Sequence, residues 1–368
     1  MRIGIDAKWY FNGPPSGRIV VRNLIDQIIL SKAKNNTIYL FVEKKNAPEA
    51  LELWQEESVK LIFLPKILNL ISNVFLVYHY ASIHKLDAVL FQNFSTFLPS
   101  RWKKIVYIHD LLFMDFPEYY TKKEFLYFKP MLWLAKKSDA IITISQSEKN
   151  RLLKYHVAQK SDIFVVHHGI NEKFVPVSAY SDKTIEDINS KYNLPANYLL
   201  YVGRINIRKN LLNLIKGFLL AGKTDQHLII VGKVDHKNID VTIYVNEHKL
   251  EDRVHFLGHV SDEDLYVIYA RAFAFCFPSY AEGFGLPPLE AMKCGIPSIV
   301  SDRTSLPEVC GKAGIYINPD DPNDIANKIT KLFEEESYYE KMKYEALSQS
   351  SKFSWRKAAN EIMNVITN

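Results

Sequence analysis

Short runs of β-branched and aliphatic residues alternate with amphipathic segments along the whole chain, and few folds accommodate that order. A strand covered on both faces reads as a brief, nearly continuous apolar run, and parallel neighbours must be joined by crossovers long enough to carry helices. In the first half the strand-like runs are Arg2–Ile5, Ile38–Val42, Lys60–Leu64, Ala88–Phe91, Ile105–His109, Ala140–Ile144 and Ile163–Val166. In the second they are Tyr198–Val202, His227–Val231, Val254–Phe256, Ala274–Phe277, Ser298–Val300 and Gly314–Ile317. Helical patterns between them make this an α/β chain of βαβ units.

A chain of 368 residues is long for one such sheet, and two domains of comparable size are expected. From Asn171 to Asn197 the alternation weakens into polar residues with Pro176 and Pro195, which reads as an interdomain connection with one short helix and puts the split near residue 175. Open parallel sheets take ligands at the carboxyl ends of their strands, so the crevice between two such sheets is the expected binding region. The last segment opens at Ser354, a good N-cap, and is helical in pattern.

Several function classes fall away. A net charge of +5 is too small to argue for nucleic acid. Cys276, Cys294 and Cys310 contain no C-x-x-C pair, so neither a zinc site nor a disulfide framework is suggested and a reducing compartment fits. The opening MRIGIDAKWY has no apolar core of a signal peptide. The run Leu61–Tyr80 is broken by Pro65, Lys66, Asn69, Asn73 and His79, and reads as a buried or interfacial helix, not a membrane span. The first loop, Asn12–Arg18, lacks G-x-G-x-x-G, and the chain has no P-loop, H-E-x-x-H or G-x-S-x-G motif.

Three segments can carry chemistry. In SYAEGFGLPPLEAMKC, Glu282 and Glu290 bracket a glycine turn and a proline pair suited to a helix start. The backbone of Gly283, Phe284, Gly285 and Leu286 would then present N–H groups to a phosphate, although the same pattern also serves a tight turn with an acid complementing the helix dipole. In YLLYVGRINIRKN a strand ends at Gly203 and is followed by Arg204, Arg208 and Lys209, cations able to neutralise a leaving diphosphate or simply a solvated face. In IVYIHDLL, His109 and Asp110 stand at a strand end, where an imidazole can bond a sugar hydroxyl or play a structural part.

Together with the GIDA opening, IHDLLF followed by PEYY, DAIITIS, VVHHGIN, FLGHVSDEDL and SLPEVCG, these segments resemble glycosyltransferase family 4 over nearly the whole chain. The resemblance implies the GT-B fold, with two Rossmann-like α/β domains facing across a deep cleft, and a retaining transfer of a hexosyl unit from a nucleotide-diphosphate sugar. It places residues 1–174 and 354–368 in an acceptor domain and 175–353 in a donor domain. It implies that Glu290 binds the donor ribose, that Glu282 and His109 contact the transferred sugar, and that Arg204 and Lys209 hold the diphosphate. Gly283, Phe284, Gly285 and Leu286 lie beside that diphosphate, with Gly203 at the strand end and Val260 near the base. Gly17 and Asp110 belong to the acceptor side, where Pro14-Pro15-Ser16-Gly17 replaces the G-x-G of many relatives.

The flavour of SLPEVCG with HDLLF and PEYY is similar to bacterial mannosyltransferases of surface-polysaccharide synthesis, lipopolysaccharide included, which implies GDP-mannose and a saccharide or lipid-linked saccharide acceptor. No metal and no cofactor are implied, and no nucleic-acid partner. A cytoplasmic protein with peripheral contact on the inner face of the plasma membrane is expected. Between Arg101 and Lys137, eight basic residues stand against four acidic ones, interleaved with Trp102, Phe125, Tyr127, Phe128 and Trp133. Such a segment suits an anionic membrane, or a helix whose aromatics face the core. A sugar-nucleotide epimerase of the same fold and a catalytically silent nucleotide-sugar module are the other readings.

Overall fold

A computed structural model describes residues 1–32, 36–159, 162–222, 225–234 and 241–368. These divide into two units, Met1–Gly169 with Ser354–Asn368, and Ile170–Phe353. The division comes ahead of residue 175 because Asn171 and Phe174 already pack on Tyr266 of the second unit, through a 3.4 Å hydrogen bond and an edge-on ring contact at 4.7 Å.

The first unit holds β1 (Arg2–Asp6), β2 (Thr37–Glu43), β3 (Val59–Leu64), β4 (Ala88–Gln92), β5 (Lys103–Ile108), β6 (Ala140–Thr143) and β7 (Ile163–Val165). They form one parallel sheet in the order β3-β2-β1-β4-β5-β6-β7. The second unit holds β8 (Tyr198–Val202), β9 (His227–Val231), β10 (Val254–Gly258), β11 (Ala274–Phe277), β12 (Ser298–Ser301) and β13 (Gly314–Ile317), in the order β10-β9-β8-β11-β12-β13. Each expected strand is present, with ends moved by at most two residues, as where β5 begins at Lys103. Central strands such as β4 and β11 are buried along their whole length, as sheets covered on both faces require.

In both sheets the order reverses beside the first strand, between β1 and β4 and between β8 and β11. Loops leaving the carboxyl ends of strands at such a reversal diverge and open a crevice. The segments after β1, β4 and β5 therefore share one edge of the first unit, and those after β8 and β11 share the corresponding edge of the second.

The run Leu61–Tyr80 is not one buried helix. Its first four residues complete β3, Pro65 ends the strand, and helical structure begins at Asn69. Leu68, Ile71 and Phe75, spaced to share one helical face, are exposed. The closing helix Trp355–Thr367 packs on helix Pro15–Lys32 of the first unit, and Lys103 Nζ donates to Val365 O at 2.8 Å. Gly169 lies flush with the start of that closing segment: a Cβ there would sit 1.9 Å from Trp355 N and 2.5 Å from the Ser354 carbonyl carbon.

Candidate active site

After β8 the chain makes a 3₁₀ turn, Ile207–Lys209, capped by Asn206 Oδ1, which accepts from Lys209 N at 3.2 Å. Asn210 follows with φ 59°, a left-handed conformation that asparagine tolerates. Its amide donates to Pro278 O at 3.1 Å, tying the loop after β8 to the exit of β11. The tie brings Lys209 Nζ to 2.6 Å from Glu282 Oε1 and Arg208 Nη1 to 3.1 Å from the same oxygen. Lys209 also lies 4.5 Å over the Phe277 ring.

Burial works against both members of the Lys209–Glu282 pair, with opposite outcomes. For Glu282 the cost of burial is more than offset by Arg208 and Lys209, and the carboxyl pKa falls to about 2. For Lys209 burial prevails, helped by the charges of Arg208 and Arg204, and the ammonium pKa falls to about 8. Arg204 is itself exposed, with its carbonyl accepting from Tyr201 Oη at 3.1 Å.

Gly283 and Phe284 continue the loop to Gly285, which has φ 118° and caps helix Leu286–Lys293 with Pro287 and Pro288 in its first turn. Leu306 Cδ2 would lie 2.7 Å from a Cβ at Gly285. Glu290 sits one turn into the helix and accepts from Tyr269 Oη at 2.8 Å. Burial raises the Glu290 pKa to about 7, opposed by that hydrogen bond and reinforced by Asp262. Tyr269 belongs to helix Asp262–Arg271, which begins just after Val260, itself buried. One helix thus links the segment expected near the base to the acid expected at the ribose.

The sequence reading missed Arg208 as a partner of Glu282, and it missed the segment that shapes the loop from outside. Thr304 Oγ1 accepts from Glu282 N at 2.9 Å, and Ser305 Oγ lies 2.9 and 2.7 Å from the carbonyl oxygens of Glu282 and Phe284. Thr304 does this with φ 56°, a costly conformation for a β-branched residue. The only sequence sign was a Thr-Ser pair just beyond β12.

At the edge of the first unit, His109 follows β5. Its N–H donates to Asn93 Oδ1 at 3.2 Å and its Nε2 lies 2.8 Å from Gln92 Oε1. Burial lowers its pKa to about 3, so the ring is neutral. Asp110 Oδ1 accepts from Leu112 N at 3.2 Å, a turn-forming bond. The next N–H, of Leu111, donates to buried Glu148 at 2.9 Å. Gly17 has a local reason to be glycine: a Cβ would lie 2.8 Å from the Trp9 indole.

In the second unit, then, two cations meet one carboxylate beside a helix start, and a second carboxylate lies one turn into that helix. Residues 31–174 match the family described as Glycosyltransferase Family 4, and residues 182–349 match Glycosyl transferases group 1. O-antigen chain mannosyltransferase B of Escherichia coli is 31% identical over 274 residues, covering 73% of this chain and 71% of that protein. The chain belongs to this glycosyltransferase family. Another relative, the serotype-specific mannosyltransferase WbdA of Escherichia coli, is 33% identical across 70% of this chain, but the match spans only 32% of that longer protein. Sucrose-phosphate synthase from Thermosynechococcus elongatus superposes with a TM-score of 0.76 at 21% identity, over 99% of this glycosyltransferase and 98% of that chain, which supports the two-sheet GT-B fold class.

Proposed function

We propose that this glycosyltransferase moves mannose from GDP-mannose to a saccharide or lipid-linked saccharide during bacterial surface-polysaccharide synthesis, with retention at the anomeric carbon. The supporting observation is the pairing of Lys209 and Arg208 with Glu282 at the chain reversal of the second sheet, beside the helix that carries Glu290. The names of the mannosyltransferase relatives support the choice of sugar.

As the carbon–oxygen bond to the diphosphate lengthens, negative charge gathers on the leaving group. Arg204, Lys209 and the N–H groups from Gly283 to Leu286 meet that charge, with Arg208 beside them, so the step requires no metal. Glu282, kept ionised by its cations, faces the developing positive charge on the sugar, and Glu290 holds the ribose. The acceptor hydroxyl enters from the face the diphosphate leaves, and a diphosphate oxygen takes its proton. His109 contacts the transferred sugar, while Gly17 and Asp110 belong to the acceptor side.

On the first unit, Phe75, Phe97 and Trp133 are exposed and touch in series, with ring centroids 6.4 and 5.3 Å apart. Trp102 is buried, and Phe125, Tyr127 and Phe128 pack against the core, so Trp133 alone of the expected aromatics is exposed. With Leu68 and Ile71, and with exposed Lys66, Arg101, Lys129, Lys136 and Lys137 on the same unit, this row suits peripheral contact with an anionic membrane. Among the described residues, no helix is long and apolar enough to cross one.

Melting curves with GDP, UDP, dTDP and ADP, each with and without EDTA, test the donor. Ligand at about 100 times its Kd adds about 2.7 kcal/mol, a shift of several degrees. Stabilisation by GDP, unaffected by EDTA, is expected; stabilisation by none of the four overturns the donor site. Product analysis without acceptor separates transfer from epimerisation.

A further inference from the structure

Gln92 is the last residue of β4, opposite Tyr107 of β5 in the sheet register, and only 2% exposed. Its side chain meets the ring of His109 rather than solvent, with Oε1 2.8 Å from Nε2. Two aromatic side chains also pack against the ring. Trp9 packs on His109 with centroids 5.1 Å apart at 39°, and Tyr107 packs at 4.9 Å and 60°. Trp9 is in turn seated where Gly13 and Gly17 leave room for its side chain. The backbone N–H of His109 is taken by Asn93, so neither the main chain nor the ring is free to turn. Nδ1 meets no partner among the described residues.

We propose that Gln92 is a positioning residue that holds His109 as the Nε2–H tautomer, leaving the Nδ1 lone pair to accept a hydrogen bond from a hydroxyl of the transferred sugar. The assignment rests on the donor reading above. A carboxamide is the informative choice at position 92. A carboxylate in its place would stabilise imidazolium and turn His109 into a donor at both nitrogens, whereas an amide oxygen accepts a hydrogen bond from Nε2–H without adding charge. The titratable neighbours agree with a neutral ring. Tyr107 is buried with its pKa raised, and His168, stacked on Tyr107 at 6.5 Å, has its pKa lowered by burial and by His109. Asp110 and Glu148 are engaged with the backbone of Leu112 and Leu111.

The test is nitrogen-15 NMR of histidine-labelled full-length protein, with the His109 signals identified by their loss in His109→Gln. The wild type is expected to show a pyrrole-type Nε2 and a pyridine-type Nδ1. In Gln92→Leu the tautomers mix, and the preference for GDP-mannose over GDP falls about tenfold while GDP binding is unchanged. Gln92→Glu, which puts a carboxylate at Nε2, is expected to protonate Nδ1 as well and to lower the preference for GDP-mannose, and provides a second variant should Gln92→Leu fail to fold; an unprotonated Nδ1 with unchanged preference in it also overturns the proposal. A protonated Nδ1 in the wild type overturns the proposal, as does a Gln92→Leu protein with unchanged spectrum and unchanged preference. A wild type that binds GDP-mannose no better than GDP overturns the sugar-contact reading instead, and the spectrum still decides the tautomer.

Discussion

The carboxyl edges of the two sheets occupy equivalent places in equivalent strand orders and are furnished in opposite ways. The edge after β8 and β11 gathers charge around one carboxylate, with Lys209 and Arg208 on Glu282 and Arg204 close enough to act on Lys209. The edge after β1, β4 and β5 cancels its charge internally. Asp6 and Lys8 pair at 2.8 Å, both essentially buried, and Asn73 closes the ring by accepting from Lys8 and donating to Asp6 at 2.9 Å. What that edge offers is a neutral imidazole held by the Gln92 amide, on a backbone N–H held by Asn93. The function proposed above accounts for the difference. A diphosphate rewards cations that can exchange one anionic partner for another, while a sugar hydroxyl needs fixed, uncharged hydrogen-bonding groups.

The largest effect should come from disarming the charged edge. Glu282→Gln or Lys209→Met is expected to lower kcat/KM for transfer on the order of 100- to 1,000-fold, read by release of GDP in a coupled assay. Full activity in both would erase the contrast. Next, Asp6→Asn leaves Lys8 buried beside a neutral partner and should cost about 3 kcal/mol of stability by denaturant titration, with the GDP affinity of the folded protein unchanged. A matching loss of GDP affinity would mean that the two edges are not independent.

A smaller effect is expected from Glu290→Gln, about a tenfold weaker affinity for GDP at pH 8, together with a changed pH profile. In the wild type the Glu290 carboxylate is present above its pKa of about 7 and lost below it, and the Lys209 cation is present below its pKa of about 8 and lost above it. GDP should therefore bind best between about pH 7 and pH 8. Calorimetry on Glu290→Gln should find the acid limb gone and the alkaline limb in place. The smallest effect belongs to the exposed aromatic row: Trp133→Ser should reduce sedimentation with anionic liposomes a few-fold at low salt and leave binding of soluble donor unaltered.

The charged edge was legible because its chemistry is contiguous. GRINIRKN gathers its cations, and EGFGLPPLE its turn and two acids, within a few residues, and the apolar strands before them announce where each loop begins. Thr304 and Ser305 were not, since a hydroxyl shaping a loop from another strand's exit looks like any polar turn. The neutral edge was legible only at His109. Its supports come from residues distant in sequence, Asn73 for Asp6 and Lys8, Gln92 for His109 and Glu148 for Leu111, and no local pattern predicts such pairings. Leu61–Tyr80 misled because a strand and a half-exposed helix, set end to end across Pro65, share the composition of one buried helix.

Gly169, pressed against the backbone at Ser354 and Trp355, makes the second unit a guest within the first. The chain leaves the first unit and returns to it through points a peptide's width apart, so residues 170–353 are topologically an insertion. Splicing Gly169 to Ser354 through a short glycine linker would join ends that already meet, leaving the seven-stranded sheet with its closing helix. The same doorway offers a graft point through which another member's second unit could be exchanged while the host sheet and its own edge chemistry stay as they are.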